Sequence, residues 1–412
     1  MIDFSEFTLN NGLRVIVHED PTVQIAVMNI LYDVGSRDER EEKTGFAHLF
    51  EHLMFGGSVN VPNYDEPLQM VGGENNAFTN TDITNYYLTV PAANIETGFW
   101  LESDRMLSLS FDPNVLEVQR KVVIEEFKQR YLNQPYGDVW LKLRPLAYNV
   151  HPYKWATIGK EISHIENATM DDVKNFFFEH YTPNNAVLVV AGNVTHDQVK
   201  NLSEKWFGPI PAGKKSQRAL PIEPSQKQKK FLEVKAKVPA DAFYKSWHMP
   251  GRFDDDYYAI DLMSDMLSRG QSSRLYQQLV KEQELFTSIS SFVMGTIDPG
   301  LFVISGRVKE GVDLKKAEEA VDEILEAIIS KGVDEEELQK VKNQAESSME
   351  FEKVEVINRA MNLAFSSLSG NANLVNEEGD RINSVTIQDI KRVAGNILRE
   401  ENSSVMYYLS NN

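Results

Sequence analysis

The sequence predicts an α+β protein made of two similar domains, each a mostly antiparallel sheet covered by helices. Segments in which apolar and polar residues alternate, as in strands, occur together with helical segments in both halves of the chain. The same succession of elements begins again near residue 231, which indicates an internal repeat of about 200 residues. The expected domains are therefore residues 1–212 and 231–412, joined by a linker at 213–230.

The first repeat is predicted to begin with strands. Residues 5–34 alternate as strands around a turn at 10–12, and a second strand region is expected at 77–90. A fully apolar strand at 186–190 follows near its end. The helices expected in this repeat are residues 46–55, 91–107, 112–132 and 169–180.

The second repeat follows a polar, basic linker that contains Pro221 and Pro224. Its expected strands are residues 231–238, 242–249, a pair within 289–308, and 404–409. Its expected helices are residues 257–267, 313–330, 334–352, 355–369 and 386–400.

The helix predicted at 46–55 carries the strongest functional signal. It is apolar apart from His48, Glu51 and His52, and it contains no internal proline or glycine. Residues four apart share a helix face, so His48 and His52 could bind one metal ion. Glu51 could reach a water molecule on that metal without being a ligand. Two neutral imidazoles and a free carboxylate are what a zinc hydrolase needs.

A structural role is the alternative for a pair of histidines at helical spacing. Burying three polar side chains in an apolar helix, however, costs roughly several kcal/mol for each one that is not satisfied. The pattern H-x-x-E-H is the inverzincin motif, and it needs a third ligand elsewhere in the chain. In the second repeat, the residues aligned with His48, Glu51 and His52 are Leu262, Asp265 and Met266. The second repeat therefore has the helix but not the ligands.

Glu126 is the candidate for the third ligand. It lies on the predicted helix 112–132, at the end of a stripe with spacings of three and four that we expect to face inward. The other members of this stripe are Val115, Gln119, Val122 and Val123. The alternative for Glu126 is an ordinary, partly exposed helix glutamate.

Composition and charge exclude several classes of function. The chain has no cysteine, which excludes disulfides, thiolate metal sites and a cysteine nucleophile. Its formal net charge of −19 argues against nucleic acid as a partner. No apolar segment is long enough to span a membrane, and residues 1–5 do not begin a signal peptide. We expect a cytoplasmic protein, or a periplasmic one if a leader has been removed.

Several motifs that occur in the same order resemble those of the M16 peptidases, the pitrilysin and mitochondrial-processing-peptidase superfamily. The resemblance covers nearly the whole chain and is closest to the bacterial branch of about this length. It implies two LuxS/MPP-like domains, of which the second is structural or holds substrate. The motifs are at residues 44–55, 72–79, 120–126, 151–159 and 181–193.

The resemblance also implies roles for individual residues. The family's zinc ligands match His48, His52 and Glu126, which would bind one Zn²⁺ per chain. The family's catalytic glutamate matches Glu51, which would act as general base on the water that the zinc ion activates. Substrate adds as an extra strand to an edge strand of the family's sheet. The matching residues here are Asn76, Ala77, Phe78 and Thr79.

The sequence departs from the family pattern at two positions. Gln119 stands where relatives usually have an outer-shell glutamate, so we expect weaker metal binding than in those relatives. The family's other half supplies an arginine and a tyrosine that hold substrate. Arg274 matches the arginine, but Thr287 occupies the tyrosine position. The resemblance therefore implies a catalytic subunit that pairs with a second M16-like chain, possibly one without zinc, and a homodimer is the simpler alternative.

Three hypotheses follow for the function. The first is a zinc-dependent endopeptidase that hydrolyses peptides or unfolded segments within a chamber closed by two chains. The second is a non-catalytic, M16-like scaffold subunit. The intact set of His48, Glu51, His52 and Glu126 argues against it, because a scaffold has no use for these residues. The third is a metal-binding protein without turnover.

Overall fold

The predicted α+β class is confirmed by two mixed sheets, each accompanied by helices. The computed structural model describes residues 1–214 and 218–411. Within the predicted linker, residues 215–217 lie outside the described residues.

The first sheet has six strands. In chain order they are β1 (Ser5–Thr8), β2 (Arg14–Glu19), β3 (Ile25–Tyr32), β4 (Glu74–Thr79), β5 (Thr84–Pro91) and β6 (Ala186–Gly192). Their spatial order is β1-β2-β6-β3-β5-β4. Strands β2 and β6 are parallel, and the other neighbours are antiparallel. Strand β4 is therefore an edge strand, hydrogen-bonded to β5.

The helices of the first half include the one that bears the metal-binding motif. In chain order they are α1 (Phe46–Leu53), α2 (Asp65–Met70), α3 (Ile95–Ser108), α4 (Pro113–Phe127), α5 (Val139–Ala147), α6 (Ile162–Glu166), α7 (Met170–His180) and α8 (His196–Trp206). Asp112 caps α4, and its side chain accepts a hydrogen bond from the Asn114 amide. Helix α4 ends at Phe127, and a π-helical turn follows at Lys128–Leu132.

The second half repeats this arrangement. Its strands are β7 (Lys230–Ala236), β8 (Ala242–Met249), β9 (Phe286–Met294), β10 (Gly300–Val308) and β11 (Ser403–Ser410). Its helices are α9 (Tyr257–Ser268), α10 (Leu314–Lys331), α11 (Glu335–Glu352), α12 (Val356–Ser367), α13 (Leu374–Ser384) and α14 (Ile387–Ile397).

The strand orders of the two sheets show the internal duplication. The second sheet has the order β7-β11-β8-β10-β9, and the order β2-β6-β3-β5-β4 in the first sheet follows the same path through its five strands. Both paths begin with a parallel pair, β2 with β6 and β7 with β11. Helices α1 and α9 occupy equivalent places in the chain: α1 lies between β3 and the edge strand β4, and α9 lies between the matching strand β8 and the edge strand β9.

The chain divides into two compact units that exchange segments. Unit 1 consists of Met1–Gln129, Trp155–Pro221 and Phe351–Glu377, and unit 2 of Arg130–Lys154, Ile222–Glu350 and Glu378–Asn412. In unit 1, helix α12 packs on β3 and β6. In unit 2, helix α5 packs on β7, β8 and β11. Each sheet is thus covered in part by a helix from the other half of the sequence. The expected domain boundaries at residues 212 and 231 describe where each sequence repeat ends and begins, and they stay a prediction.

Some elements differ from the sequence prediction. The strand region expected at 77–90 is two strands, because the Asn80 side chain accepts hydrogen bonds from the amides of Asp82 and Ile83 and forms a turn. Helices α2, α5, α6, α8 and α13 lie outside the segments predicted as helical. They are short or, like α5 with Pro145, interrupted by a residue that is rare inside helices.

Helix α9 contains a carboxyl group whose environment predicts a pH-dependent stability. Burial, together with the nearby Asp265, raises the pKa of Asp261 to about 6. The unfolded-state pKa is near 3.9. The stabilising effect of a raised pKa is present below the unfolded value and is lost as the pH rises through about 6.

We expect Asp261→Asn to raise the apparent Tm at pH 8 and to change it little at pH 4. A shift of about two pKa units corresponds to at most about 3 kcal/mol at high pH. Thermal unfolding of both proteins at the two pH values measures the effect. Asp255→Asn is the control, because its side chain is fully exposed. If Asp261→Asn and the unmodified chain differ in Tm by the same amount at pH 4 and pH 8, the raised pKa of Asp261 is contradicted.

Candidate metal centre

The start of α1 is fixed by a glycine and a buried glutamate. Gly45 has φ of +88°, and a Cβ at this position would lie 2.7 Å from the carbonyl oxygen of Ile158. The Glu39 carboxyl accepts hydrogen bonds from the amides of Gly45 at 2.9 Å and Ala47 at 2.8 Å. These amides belong to the first turn, where a helix leaves donors without partners of its own. The contacts anchor α1 at the end that carries His48.

Glu39 is a residue whose importance the sequence does not reveal. Burial raises its pKa well above the usual range, and the amides of Ala47 and Gly45 oppose this rise. A negative or polar acceptor at a helix N-terminus also suits the helix dipole. The available sequence signal is an acidic residue shortly before a glycine and an apolar helix, which is too common to identify a cap.

Three side chains from two helices converge as the sequence predicts. His48 and His52 lie one turn apart on α1, and their ring centroids are 4.9 Å apart. Glu126 comes from α4: one carboxylate oxygen is 3.7 Å from His48 Nε2, and the other is 3.5 Å from His52 Nε2. In the described ranges 1–214 and 218–411, these residues are the only group of three or more His, Cys, Asp or Glu side chains whose ligand atoms lie within 4.8 Å of one another.

The chemistry and spacing of this group fit a zinc ion. Zinc prefers imidazole nitrogen and carboxylate oxygen among the ligand types present here. With metal–ligand distances of about 2.0–2.2 Å, tetrahedral ligands are roughly 3.3–3.6 Å from one another. The measured separations of 3.5 and 3.7 Å are close to this range. All three side chains keep some exposure, so small ligands can reach the group.

Glu51 lies on the same helix and has a different environment from Glu126. Burial raises the pKa of the Glu51 carboxyl, while the hydroxyl and backbone amide of Thr79 act in the opposite direction. The charges of His52 and Glu126 also act on Glu51. Thr79, at the end of strand β4, is therefore next to the carboxyl of Glu51, which the sequence predicts to be the general base.

The residues predicted to bind substrate lie on the edge strand β4. Asn76 to Thr79 pair with Tyr87 to Thr84 of β5, and burial alternates along the strand. Phe78 is 37% exposed. The edge position agrees with the expectation, and the substrate-binding role of these four residues stays a prediction.

The buried face of α4 is displaced round the helix from the predicted stripe. Val123 is buried, and Val115, Gln119 and Glu126 are half-buried, but Val122 is 43% exposed. The prediction for Val122 is wrong, because the buried face of α4 runs through Leu116, Ile124 and Phe127 and Val122 lies on the opposite side of the helix. Gln119 lies on the same helix as Glu126, and its outer-shell role stays a prediction.

Arg274, the candidate substrate-holding arginine, is engaged within unit 2. Its guanidinium makes two parallel hydrogen bonds with the Glu337 carboxylate, at 2.8 and 2.6 Å. Thr287 donates a hydrogen bond from its hydroxyl to the Arg307 carbonyl at 3.1 Å. The sequence alone could not indicate that Glu337 pairs with Arg274, because the two residues lie far apart along the chain.

Comparison with protein families assigns both halves of the chain. Residues 14–155 match the model of the insulinase family, peptidase family M16. Residues 167–345 match the model of the peptidase M16 inactive domain. The second match agrees with the absence of His48, Glu51 and His52 equivalents from α9.

Individual relatives and a solved structure support the same assignment. The zinc protease PqqE of Helicobacter pylori is 31% identical over 343 residues, which cover 81% of this chain and 77% of that protein. The uncharacterized zinc protease YmxG of Bacillus subtilis is 26% identical over 399 residues, 96% of each chain. The crystal structure of a protease from Helicobacter pylori has a TM-score of 0.93 and 26% identity, covering 99% of this chain and 100% of that chain. Among the helices of the described residues, none has both the length and the hydropathy to cross a bilayer.

Proposed function

This chain belongs to peptidase family M16, and we propose that it is a zinc-dependent endopeptidase that hydrolyses peptides or unfolded segments. The observation that carries the proposal is the convergence of His48, His52 and Glu126 within electrostatic range of Glu51. His48, His52 and Glu126 would hold the zinc ion. When bound, zinc would lower the pKa of a water molecule to roughly 7 and polarise the scissile carbonyl.

Glu51 performs the proton transfers in this mechanism. Its carboxylate accepts a proton from the attacking water and then donates that proton to the leaving amine. A general base works best when its pKa is near the working pH, and burial moves the pKa of Glu51 upward in that direction. The hydroxyl and backbone amide of Thr79 favour the ionised form of the Glu51 carboxyl, which is the form that accepts a proton.

Strand β4 supplies the binding mode for the substrate. An extended peptide can hydrogen-bond to the outer edge of β4, as a further strand of the sheet. Backbone pairing accepts many sequences, and the alternating side chains from Asn76 to Thr79 would select among them. A peptide in this position would pass Thr79, whose hydroxyl and backbone amide act on the Glu51 carboxyl.

We further propose that this chain is a catalytic subunit that works with a second M16-like chain. Two observations support this. Arg274 is already paired with Glu337, and Thr287 has no phenol group with which to bind substrate. The alternative, a non-catalytic scaffold, leaves the partly buried group of His48, His52 and Glu126 without a purpose.

Cleavage of a mixed pool of unstructured peptides tests the proposal. The purified, zinc-loaded chain is incubated with the pool, with and without a chelator, and products are read by mass spectrometry. We expect chelator-sensitive cleavage that is slow for the chain alone. Thr287→Tyr should be faster by about tenfold, the effect of roughly one added hydrogen bond. Thr287→Phe is the matched control, because it adds the ring without the hydroxyl.

The outcomes separate the parts of the proposal. Cleavage that continues in chelator would overturn the zinc mechanism. Equal rates for the unmodified chain and Thr287→Tyr would show that the chain is complete without the tyrosine, and a homodimer would then be the working form. Bound zinc without cleavage by any variant or with any second M16-like chain would favour the metal-binding protein without turnover.

A further inference from the structure

An arginine in the predicted linker is connected to the start of α1 by polar contacts, all within unit 1. Arg218 donates from Nε to Asp38 Oδ1 at 2.6 Å and from Nη1 to Asp33 Oδ1 at 2.9 Å. Its Nη2 donates to the backbone carbonyl of Asp33 at 2.6 Å. We call Arg218, Asp33 and Asp38 the linker clasp. A planar guanidinium can make this set of directed bonds, and a lysine cannot.

The clasp differs from an ordinary surface ion pair. Exposed ion pairs contribute little to the stability of the folded state, because water and salt screen the two charges. The Asp38 side chain is only 6% exposed, and that of Arg218 is 28% exposed. Asp38 also accepts a hydrogen bond from the Gly35 amide at 3.0 Å, which closes the short helical turn Ser36–Asp38. The clasp therefore holds a defined turn.

This turn leads directly to the cap of the metal-binding helix. Glu39 follows Asp38 in the chain and accepts the amides of Gly45 and Ala47. Ala47 is next to His48. A displacement of the turn would move Glu39 away from these amides, and the first turn of α1 would lose its acceptor.

The same turn also contacts the turn between β4 and β5. Arg37 pairs with Asp33 and with Asp82, each at 3.1 Å, and its amide donates to the Thr81 carbonyl at 2.9 Å. Thr81 and Asp82 follow Thr79, the residue that acts on Glu51. The turn therefore contacts both the start of α1 and the segment that follows Thr79.

We propose that Arg218 is a positioning residue for the metal centre. From the linker, it holds Asp33 and Asp38, and through Glu39 it fixes the start of α1 so that His48 and His52 face Glu126. The consequence for catalysis rests on the proposed function. The consequence for the order of α1 does not, because it concerns amides of the metal-free chain.

The test compares Arg218→Ala and Arg218→Lys with the full-length chain. Lys205→Ala is the control, since Lys205 makes an exposed ion pair with Glu96 in the same unit. The first readout is hydrogen exchange of the Gly45 and Ala47 amides in metal-free protein. The second is the visible absorption spectrum of the Co²⁺-loaded protein, which reports ligand geometry. The third is the separation of kcat from KM in peptide cleavage.

We expect Arg218→Ala to increase exchange of both amides by at least about tenfold, to change the cobalt spectrum, and to lower kcat more than KM. Arg218→Lys should recover part of each effect, because an ammonium can pair with one aspartate but cannot bridge both. Lys205→Ala should match the unmodified chain.

Equal exchange rates and cobalt spectra in Arg218→Ala and Lys205→Ala would overturn the proposal. If Arg218→Ala does not fold, Arg218→Lys and Asp38→Asn decide the question by the same exchange measurement, and unchanged rates in both would overturn it. If the unmodified chain shows no zinc-dependent cleavage, the proposed function fails, and the exchange rates alone still decide the role of Arg218.

Discussion

Glu51→Gln is expected to lower the rate of chelator-sensitive cleavage by about 10²–10⁴-fold while zinc remains bound. Glutamine has nearly the same shape as glutamate but cannot accept the proton of the attacking water. His48, His52 and Glu126 are unchanged in this variant, so metal content should stay at one ion per chain. Single-turnover cleavage of one peptide from the pool, measured with metal analysis of the same sample, checks both statements.

Glu41→Gln is the matched control for this variant. Glu41 lies in the same part of the chain, but its carboxylate makes an ion pair with Lys160 in which both side chains are 46% exposed. We expect this control to retain the cleavage rate of the unmodified chain. Full activity of Glu51→Gln would exclude Glu51 as the base, whereas loss of both activity and zinc would indicate that Glu51 supports the metal site structurally.

The helix α1 and the convergence of its polar residues could be predicted because the signal is local. Five consecutive residues contain the histidine spacing, and the surrounding apolar residues define the buried helix. Glu126 required a second step, the recognition that α4 turns one stripe inward. That step pointed to Glu126, which lies beside the two histidines, although Val122, placed in the same stripe, is exposed.

Contacts between distant parts of the chain could not be predicted. Glu39 at the start of α1, and Glu337 beside Arg274, are ordinary surface-type residues in the sequence. Helix α3 buries Glu102 and Arg105 because each satisfies the charge of the other. Periodicity alone would place these two side chains in water. In each case the pairing partner, which a single sequence does not identify, determines the burial.

The exchange of helices between the units has the same origin. Helix α12 covers the sheet of unit 1, although it follows the second sheet's strand β10 along the chain. Its amphipathic pattern predicts that one face is buried but does not state against which sheet. The repeat itself could be predicted, because the order of strands and helices can be inferred directly from the sequence.

Glu126→Gln is expected to weaken zinc binding by at least about 100-fold, beyond the 10- to 100-fold typical of changes in the outer shell. Two neutral imidazoles and one carboxylate give the ligand group a single negative charge. The amide removes that charge, and Gln119 cannot replace it. Competition with a chromophoric chelator measures the affinity.

Glu125→Gln is the control. It decides whether the loss of zinc affinity comes from the carboxylate at residue 126 or from the total charge of α4. Glu125 is adjacent in sequence, but its side chain is 60% exposed and pairs with Lys128 at 2.7 Å. Both variants change the charge of the helix equally, so a general electrostatic effect would weaken zinc binding in both. A loss confined to Glu126→Gln would mean that the carboxylate binds the metal directly. Equal, small losses would place the third ligand elsewhere in the chain, and the separations of 3.5 and 3.7 Å to the two histidines would then describe ion pairing alone.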